Sequence, residues 1–157
     1  MMAEPQPPTL PPVKEVRGQI SIPYRWSYGP ALTRFFEESR DRRRLMGTKC
    51  PRCGSVIVPA ARICTICYVE TSEWVEVSDH GVLVTFTTVH LPFPGQPTEP
   101  PYTYGLILLD GASTYYSHII NEPVERLACG MRVEAVWSED RKGDLFDILY
   151  FIREAQG

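Results

Sequence analysis

Cys50-Pro51-Arg52-Cys53-Gly54, followed shortly by Cys64-Thr65-Ile66-Cys67, is the stretch on which the fold of this chain turns. Two C-x-x-C pairs with ten residues between them describe a tetrahedral metal site. Each pair occupies a tight turn that aims both sulfurs inward, and four thiolates at about 2.3 Å complete the shell of Zn²⁺. A complete shell leaves no position for a substrate, so the expected metal is structural. Gly54 supplies the free φ that lets the first knuckle turn back. Two other arrangements draw on the same residues. Iron is held by this ligand set in rubredoxin-like sites, and two disulfides also use four cysteines, although the spacing argues against them.

The first residues, Met1-Met2-Ala3-Glu4-Pro5-Gln6-Pro7-Pro8, have neither the basic nor the apolar segment of a secretory leader. No apolar run approaches the ~20 residues of a membrane span. The expectation is a cytoplasmic protein, in a compartment that keeps thiolates reduced. With 157 residues, 43% of them apolar, the chain can bury a core in one or two small domains. The fifth cysteine, Cys129, lies between Ala128 and Gly130 and reads as a small buried residue rather than a nucleophile. The net charge of −3 conceals an asymmetry: residues 1–62 carry eleven Lys or Arg against five acids, and the remainder carries five against fourteen. The front half can attract phosphate or an acidic protein, whereas the back half repels a nucleic-acid backbone.

Toward the N-terminus, residues 1–19 are proline-rich and read as a disordered tail. Ile20 to Tyr28 form an arm whose isoleucines, Tyr24, Trp26 and Tyr28 are costly to leave in water, so the arm docks on a partner, on its own helix, or on both. Pro30 suits the first turn of a helix, and Leu32, Phe35, Phe36 and Ser39 follow with helical spacing. Arg42-Arg43-Arg44 close that helix favourably for its dipole, and Gly47 stops it or marks the turn. The arm and helix thus occupy 20–47 and the ribbon 48–72. The ribbon is a pair of small hairpins with hardly any core, for which the metal supplies the folding free energy.

From Glu73 the pattern changes to period two. Trp74 to Val89, read as one long bent strand, is followed by strands at Tyr102 to Leu109, Thr114 to Ile119, Met131 to Trp137 and Leu145 to Ile152. Five strands are what a closed barrel of the OB type requires, over 73–157, and other small barrels fit the same pattern. The fold class is therefore mainly β: an N-terminal helical arm, a rubredoxin-like zinc ribbon and a C-terminal five-stranded OB-fold barrel. His90 to Pro101 form a long proline-stiffened loop with His90 at its root and Phe93 at its tip, a place where loops bind partners. His80 and His118 read as turn or surface residues. There is no phosphate-cradling glycine loop, no H-E-x-x-H and no G-x-S-x-G, and four cysteines are committed to metal, so no catalytic residue is expected.

The basic helix end, the run Leu45 to Gly54, Pro59, the second C-x-x-C, Trp74 to Val77, Gly81, Phe86 to Val89 and Pro101-Tyr102 together resemble a known family. These are the zinc-ribbon and OB-fold proteins associated with acyl-CoA thiolases and lyases, and the resemblance runs from about Ile20 to the C-terminus. It implies a non-catalytic, zinc-binding accessory subunit of a thiolase-fold enzyme, a thiolase or an aldolase, in a hetero-oligomer. Such a subunit helps the enzyme receive acyl-CoA, here in breakdown of an aromatic compound or a sterol side chain. It further implies that Cys50, Cys53, Cys64 and Cys67 hold zinc, and that Tyr24, Trp26, Phe35, Phe36, His90 and Phe93 are candidates for the partner or acyl surface. Arg34, Arg40, Arg42, Arg43, Arg44, Lys49 and Arg52 offer counter-charges for CoA phosphates. The rival reading is a single-stranded nucleic-acid binder that stacks bases on Tyr115, Tyr116 and Trp137; a stand-alone acyl-CoA hydrolase or lyase is a third.

Overall fold

The computed structural model describes residues 22–96 and 98–155. The proline-rich tail of 1–19 lies outside the described residues. Helix α1 spans Gly29–Arg42 with Pro30 in its first turn, and it buries Phe35, Phe36 and Ser39. Arg43 then adopts a left-handed conformation (φ 54°), and the N–H groups of Arg43 and Arg44 bond back to the carbonyls of Ser39 and Glu38. The helix therefore ends at Arg42, before the arginine run does. Reversal at Arg43 swings Arg44 against two carboxylates, Glu38 at 2.6 Å and Glu76 at 3.1 Å.

Strand β1 (Leu45–Lys49) follows at once, so Gly47 is neither a helix stop nor a turn. It sits mid-strand because a Cβ there would lie 2.7 Å from Val56 Cγ1 and 3.0 Å from the Ile57 carbonyl oxygen. β1 pairs on one edge with β2 (Val56–Ile57) and on the other with β3 (Glu73–Val77), both antiparallel. The Trp74 to Val77 segment thus belongs to the sheet of the ribbon, in register Leu45↔Val77 through Lys49↔Glu73, and not to the first barrel strand. The ribbon is a three-stranded sheet rather than two separate hairpins, and it extends past residue 72.

After the turn at Ser78-Asp79, β4 (His80–Val89), β5 (Tyr102–Leu109), β6 (Tyr116–Ile120), β7 (Arg132–Trp137) and β8 (Ile148–Arg153) close a barrel in the order β4-β5-β6-β8-β7. The barrel keeps five strands because β4 alone supplies the strand expected from a longer segment. Its closing seam is the parallel pair β6 and β8, at Ile120↔Phe151. Leu145–Asp147 is a 3₁₀ turn rather than the start of β8, and Asp144 caps it by accepting from Phe146 N–H.

The expectation of a coreless ribbon is also corrected. Leu45, Met46, Val56 and Val58 share one buried cluster with Phe35 and Phe36 of the helix and with Leu83, Ile107, Val133 and Phe151 of the barrel. The loop between β5 and β6 fastens the outer edge of β2: Ser113 N–H donates to the Val56 carbonyl at 2.7 Å, and Val58 N–H to Thr114 Oγ1 at 2.8 Å. Helix, ribbon and barrel accordingly fold around a common interior. Among the described residues no helix is long and apolar enough to cross a membrane.

Two measurements test this packing. Gly47→Ala is expected to destabilise the protein by about 1–3 kcal/mol in urea titration, since backbone as well as side chain must give way to the added methyl. Arg44 and Arg42 hold the Glu38 carboxyl below its usual range, Arg44 by hydrogen bonding contributing most. A carboxyl with a depressed folded pKa contributes stability that is present above its unfolded value and is lost as pH falls through the folded one. Thermal melts from pH 7 down to 3 should show a loss of order 1 kcal/mol in the wild type that Glu38→Gln lacks.

Candidate metal centre and exposed surfaces

The two knuckles are copies of one backbone device. Cys50 N–H donates to the Ser55 carbonyl and Gly54 N–H to the Cys50 carbonyl, both at 2.9 Å. In the second, Cys64 N–H donates to Val69 O at 2.9 Å and Tyr68 N–H to Cys64 O at 3.0 Å. These bonds force the fifth residue of each knuckle into positive φ: Gly54 at 76° and Tyr68 at 56°. For glycine that conformation is free; for tyrosine it costs about 1–2 kcal/mol. Tyr68 was not singled out from the sequence, although its alignment with Gly54, each four residues after the first cysteine of its pair, is legible there.

The turns bring all four sulfurs within 4.8 Å of one another, with Cys53 Sγ 3.8 Å from Cys64 Sγ. Tetrahedral bonds of about 2.3 Å place sulfurs about 3.8 Å apart, so the arrangement fits a metal directly. Backbone N–H groups of Arg52 and Cys53 point at Cys50 Sγ (3.4 and 3.5 Å), and that of Cys67 at Cys64 Sγ (3.4 Å). Such donors stabilise negative sulfur. Hydrogen bonding to Ser55 lowers the Cys53 thiol to about 6, while Cys53 beside it pushes Cys67 up to about 12. Neighbouring thiolates repel, and a divalent cation relieves that repulsion. Cys50 and Cys64 are buried beside Ile57, with Cys53 exposed, so one side of the centre is dry and the other faces solvent. The cofactor is structural Zn²⁺ on Cys50, Cys53, Cys64 and Cys67; it contributes folding free energy to the ribbon, and no open ligand position is built around it.

The remaining candidates divide sharply. Phe35 and Phe36 are 1% and 6% exposed, and so are core residues rather than partner surface. The amphipathic helix turns them inward against β1 and the barrel. Tyr24 and Trp26 remain exposed, at 79% and 68%, together with Ile22. The arm is not detached: Trp26 meets Tyr28 edge-on at 5.0 Å, and Tyr28 meets Phe36 at 5.0 Å. His90 and Phe93 are exposed on their loop, which Gln96 braces by accepting from Phe93 N–H and donating to Tyr102 Oη. Sequence reasoning passed over Ile66, which is exposed on the second knuckle beside Tyr68.

Most of the candidate cations have carboxylate partners within the chain. Arg40 pairs with Asp41, Arg42 with Glu38, Arg44 with Glu38 and Glu76, and Lys49 with Glu73. Arg44 is thereby a tie between helix and ribbon. Arg34 lies over the Trp74 ring at 4.2 Å and Arg43 over Trp137 at 5.9 Å, while Arg52 is exposed on the first knuckle. Tyr116 and Trp137 are buried, the latter donating from Nε1 to Asp79, so two of the three rings proposed to stack on bases are inaccessible. His118 is likewise buried rather than on the surface; burial lowers its pKa, and its Nε2 contacts the Leu145 carbonyl at 3.1 Å. Cys129 is exposed, contrary to the expectation of a buried thiol, because the segment before Gly130 runs outside the barrel.

Residues 38–73 match the family model described as the ChsH2 rubredoxin-like zinc ribbon domain, and 74–138 match the ChsH2 C-terminal OB-fold domain. The chain belongs to this zinc-ribbon/OB-fold family, DUF35. DUF35 domain-containing scaffold proteins of Methanocaldococcus jannaschii and Pyrococcus furiosus are each 29% identical to it. The matches cover 68% and 72% of this chain and 76% and 82% of those proteins. Among solved structures, a chain of the Ltp2-ChsH2(DUF35) aldolase superposes with TM-score 0.61 at 23% identity, over 82% of this chain and 98% of that one. A DUF35 protein of unknown function from Sulfolobus solfataricus gives TM-score 0.59 at 20% identity, over 80% and 87%. These two likenesses attest the fold.

Cys64→Ser is expected to abolish stoichiometric zinc by elemental analysis and to open the ribbon to proteolysis, because the lost ligand is buried. Tyr68→Gly should retain zinc and raise stability by up to about 1 kcal/mol, by relieving the left-handed backbone.

Proposed function

We propose that this protein is a non-catalytic accessory subunit that binds a thiolase-fold enzyme, a thiolase or an aldolase, and helps that enzyme hold acyl-CoA. The observation that carries this reading is the exposed aromatic arm set on a metal-stapled body. Tyr24 and Trp26 project into solvent while Tyr28 anchors the arm on Phe36. Exposed Trp and Tyr braced on a rigid support are the residues that dominate binding energy at protein interfaces. The description of the archaeal relatives as scaffold proteins supports it, as does the aldolase named alongside a DUF35 chain in a protein of the same fold. A mechanism follows in which the partner supplies the reacting groups. This subunit contributes an apolar arm, the loop with His90 and Phe93, and the cations Arg34, Arg43 and Arg52 as counter-charges for CoA phosphates. Degradation of an aromatic compound or a sterol side chain is the process to which we assign it, in a cytoplasmic hetero-oligomer.

The test is co-purification with the thiolase-fold enzymes of the same genome, each co-expressed with this chain, with acyl-CoA turnover measured in the presence and absence of this chain. Co-elution and a change in turnover are expected; independent elution with unchanged turnover would sink the reading. Within the complex, Trp26→Ala should weaken association by about 2 kcal/mol, roughly thirtyfold, with no change in melting temperature. Phe35→Ala should instead destabilise the subunit itself by about 3–5 kcal/mol.

A further inference from the structure

The arm leads into a groove of about 550 Å³ that neither the zinc centre nor the exposed aromatics account for. One wall is the start of α1, with Tyr28, Pro30, Ala31 and Leu32, and the other is the segment between the knuckles, with Pro59 and Arg62. The walls are almost wholly apolar, and Gly29, Pro30, Ala31, Pro59, Ala60 and Ala61 put little bulk into the hollow, which leaves room for large side chains.

Its electrostatics are one-sided. The 14-residue helix opens here with no acidic residue in its first turn; Ser27 Oγ accepts from Gly29 N–H at 3.1 Å, so a neutral hydroxyl and no carboxylate of its first turn meets the positive end of its dipole. Arg62 stands at the rim, and its contact with Glu70 at 3.2 Å joins two side chains that are 73% and 71% exposed. An ion pair so open to water is weak and exchanges readily for another carboxylate. The groove wall itself contributes no acid.

We infer that this groove receives an apolar segment of the partner enzyme that carries a carboxylate side chain, its large side chains filling the hollow and its acid meeting Arg62 and the helix start. The inference rests on the accessory-subunit reading above and specifies the chemistry of the partner. Charge complementarity separates this occupant from the others. A second copy of this chain would offer Leu145 and Phe146, exposed beside Asp144, but that carboxylate is engaged as the cap that accepts from Phe146 N–H; the proline-rich residues 1–19 contain two acids against two bases, with no aromatic residue to fill the space.

The experiment uses the complex with the thiolase-fold enzyme that co-purifies in the test above. Ala31→Trp fills the groove from the helix side, and Arg62→Glu reverses the rim charge without touching the core. Both variants should keep wild-type zinc content and melting temperature while binding the enzyme at least about tenfold more weakly. The affinity of the wild type should fall as salt rises, and that of Arg62→Glu should fall less. A photo-crosslinking amino acid placed at position 31 should capture an enzyme segment with Asp or Glu within four residues of its apolar side chains. Wild-type affinity in both variants overturns the inference and leaves the accessory role standing. Crosslinks to residues 1–21 of the same chain, to a second copy, or to an enzyme segment without an acid also overturn it. Failure of the unmodified chain to bind the enzyme is a different result, which removes the accessory role and the groove assignment together.

Discussion

Strand β1 is hydrogen-bonded along both edges, and the rest of the molecule depends on that double pairing. Its first residue follows the left-handed turn that ends the helix, and Lys49 hands the chain directly to the ligand Cys50. A strand held on both sides cannot slip in register without moving every side chain to the other face. Cys50 is therefore presented at a fixed height relative to β2 and β3, and the metal locks a geometry that the sheet has already set. Thr48 adds a tie, donating from Oγ1 to the Ala61 carbonyl at 2.7 Å and accepting from Ala61 N–H, so the segment leading to the second knuckle hangs from the same strand. At Gly47 the absence of a side chain leaves room for Val56, the Ile57 carbonyl and Val58 to lie against β1.

From that frame a line of aromatic contacts runs outward. Phe35, fully buried, meets Phe36 at 5.3 Å; Phe36 meets Tyr28, and Tyr28 meets the exposed Trp26. Each contact is worth about 0.5–1.5 kcal/mol beyond area burial. Linked in series, edge-on or tilted, they hold the base of the arm in one orientation. A surface ordered in advance loses less entropy on binding, so burying a ring inside the helix and exposing another on the arm are parts of one device.

The features legible in the sequence were those governed by local chemistry. Cysteine spacing specified the ligand set, and the stretch Tyr102 to Leu109 is a strand with its predicted ends, because Pro100-Pro101 precede it and the turn at Asp110-Gly111 follows. What stayed hidden depended on which elements meet. Trp74 to Val77 alternates like a barrel strand, but alternation does not say whose edge a strand pairs with, and it pairs with β1. Gly47 reads as a breaker because a close backbone approach has no local signature. Phe35 and Phe36 lie on the apolar face of a helix, which marks burial more strongly than binding, and the structure buries them. Tyr68 hides a glycine-like conformation behind a large side chain, and His118 is inside because strand β6 alternates Tyr116, His118 and Ile120 toward the core.

Internal pairing also changes what the charge asymmetry means. The basic front half is a property of the sequence, yet Arg40, Arg42, Arg44, Lys49 and Arg62 each face a carboxylate in the fold. Among the described residues Arg25, Arg34, Arg43 and Arg52 are left without one, and two of these lie over tryptophan rings. A nucleic-acid site needs a continuous positive track with stacking rings beside it. Here the cations are separated and the rings Tyr116 and Trp137 are inside. Scattered positive points around exposed apolar surface suit a protein partner instead, since burial of the rings supplies affinity and the few charges set orientation and encounter rate. The zinc centre, buried on one side and ligated wholly by its own chain, ties the two knuckles together, so that Arg52 on the first and the exposed Ile66 and Tyr68 on the second keep a fixed separation.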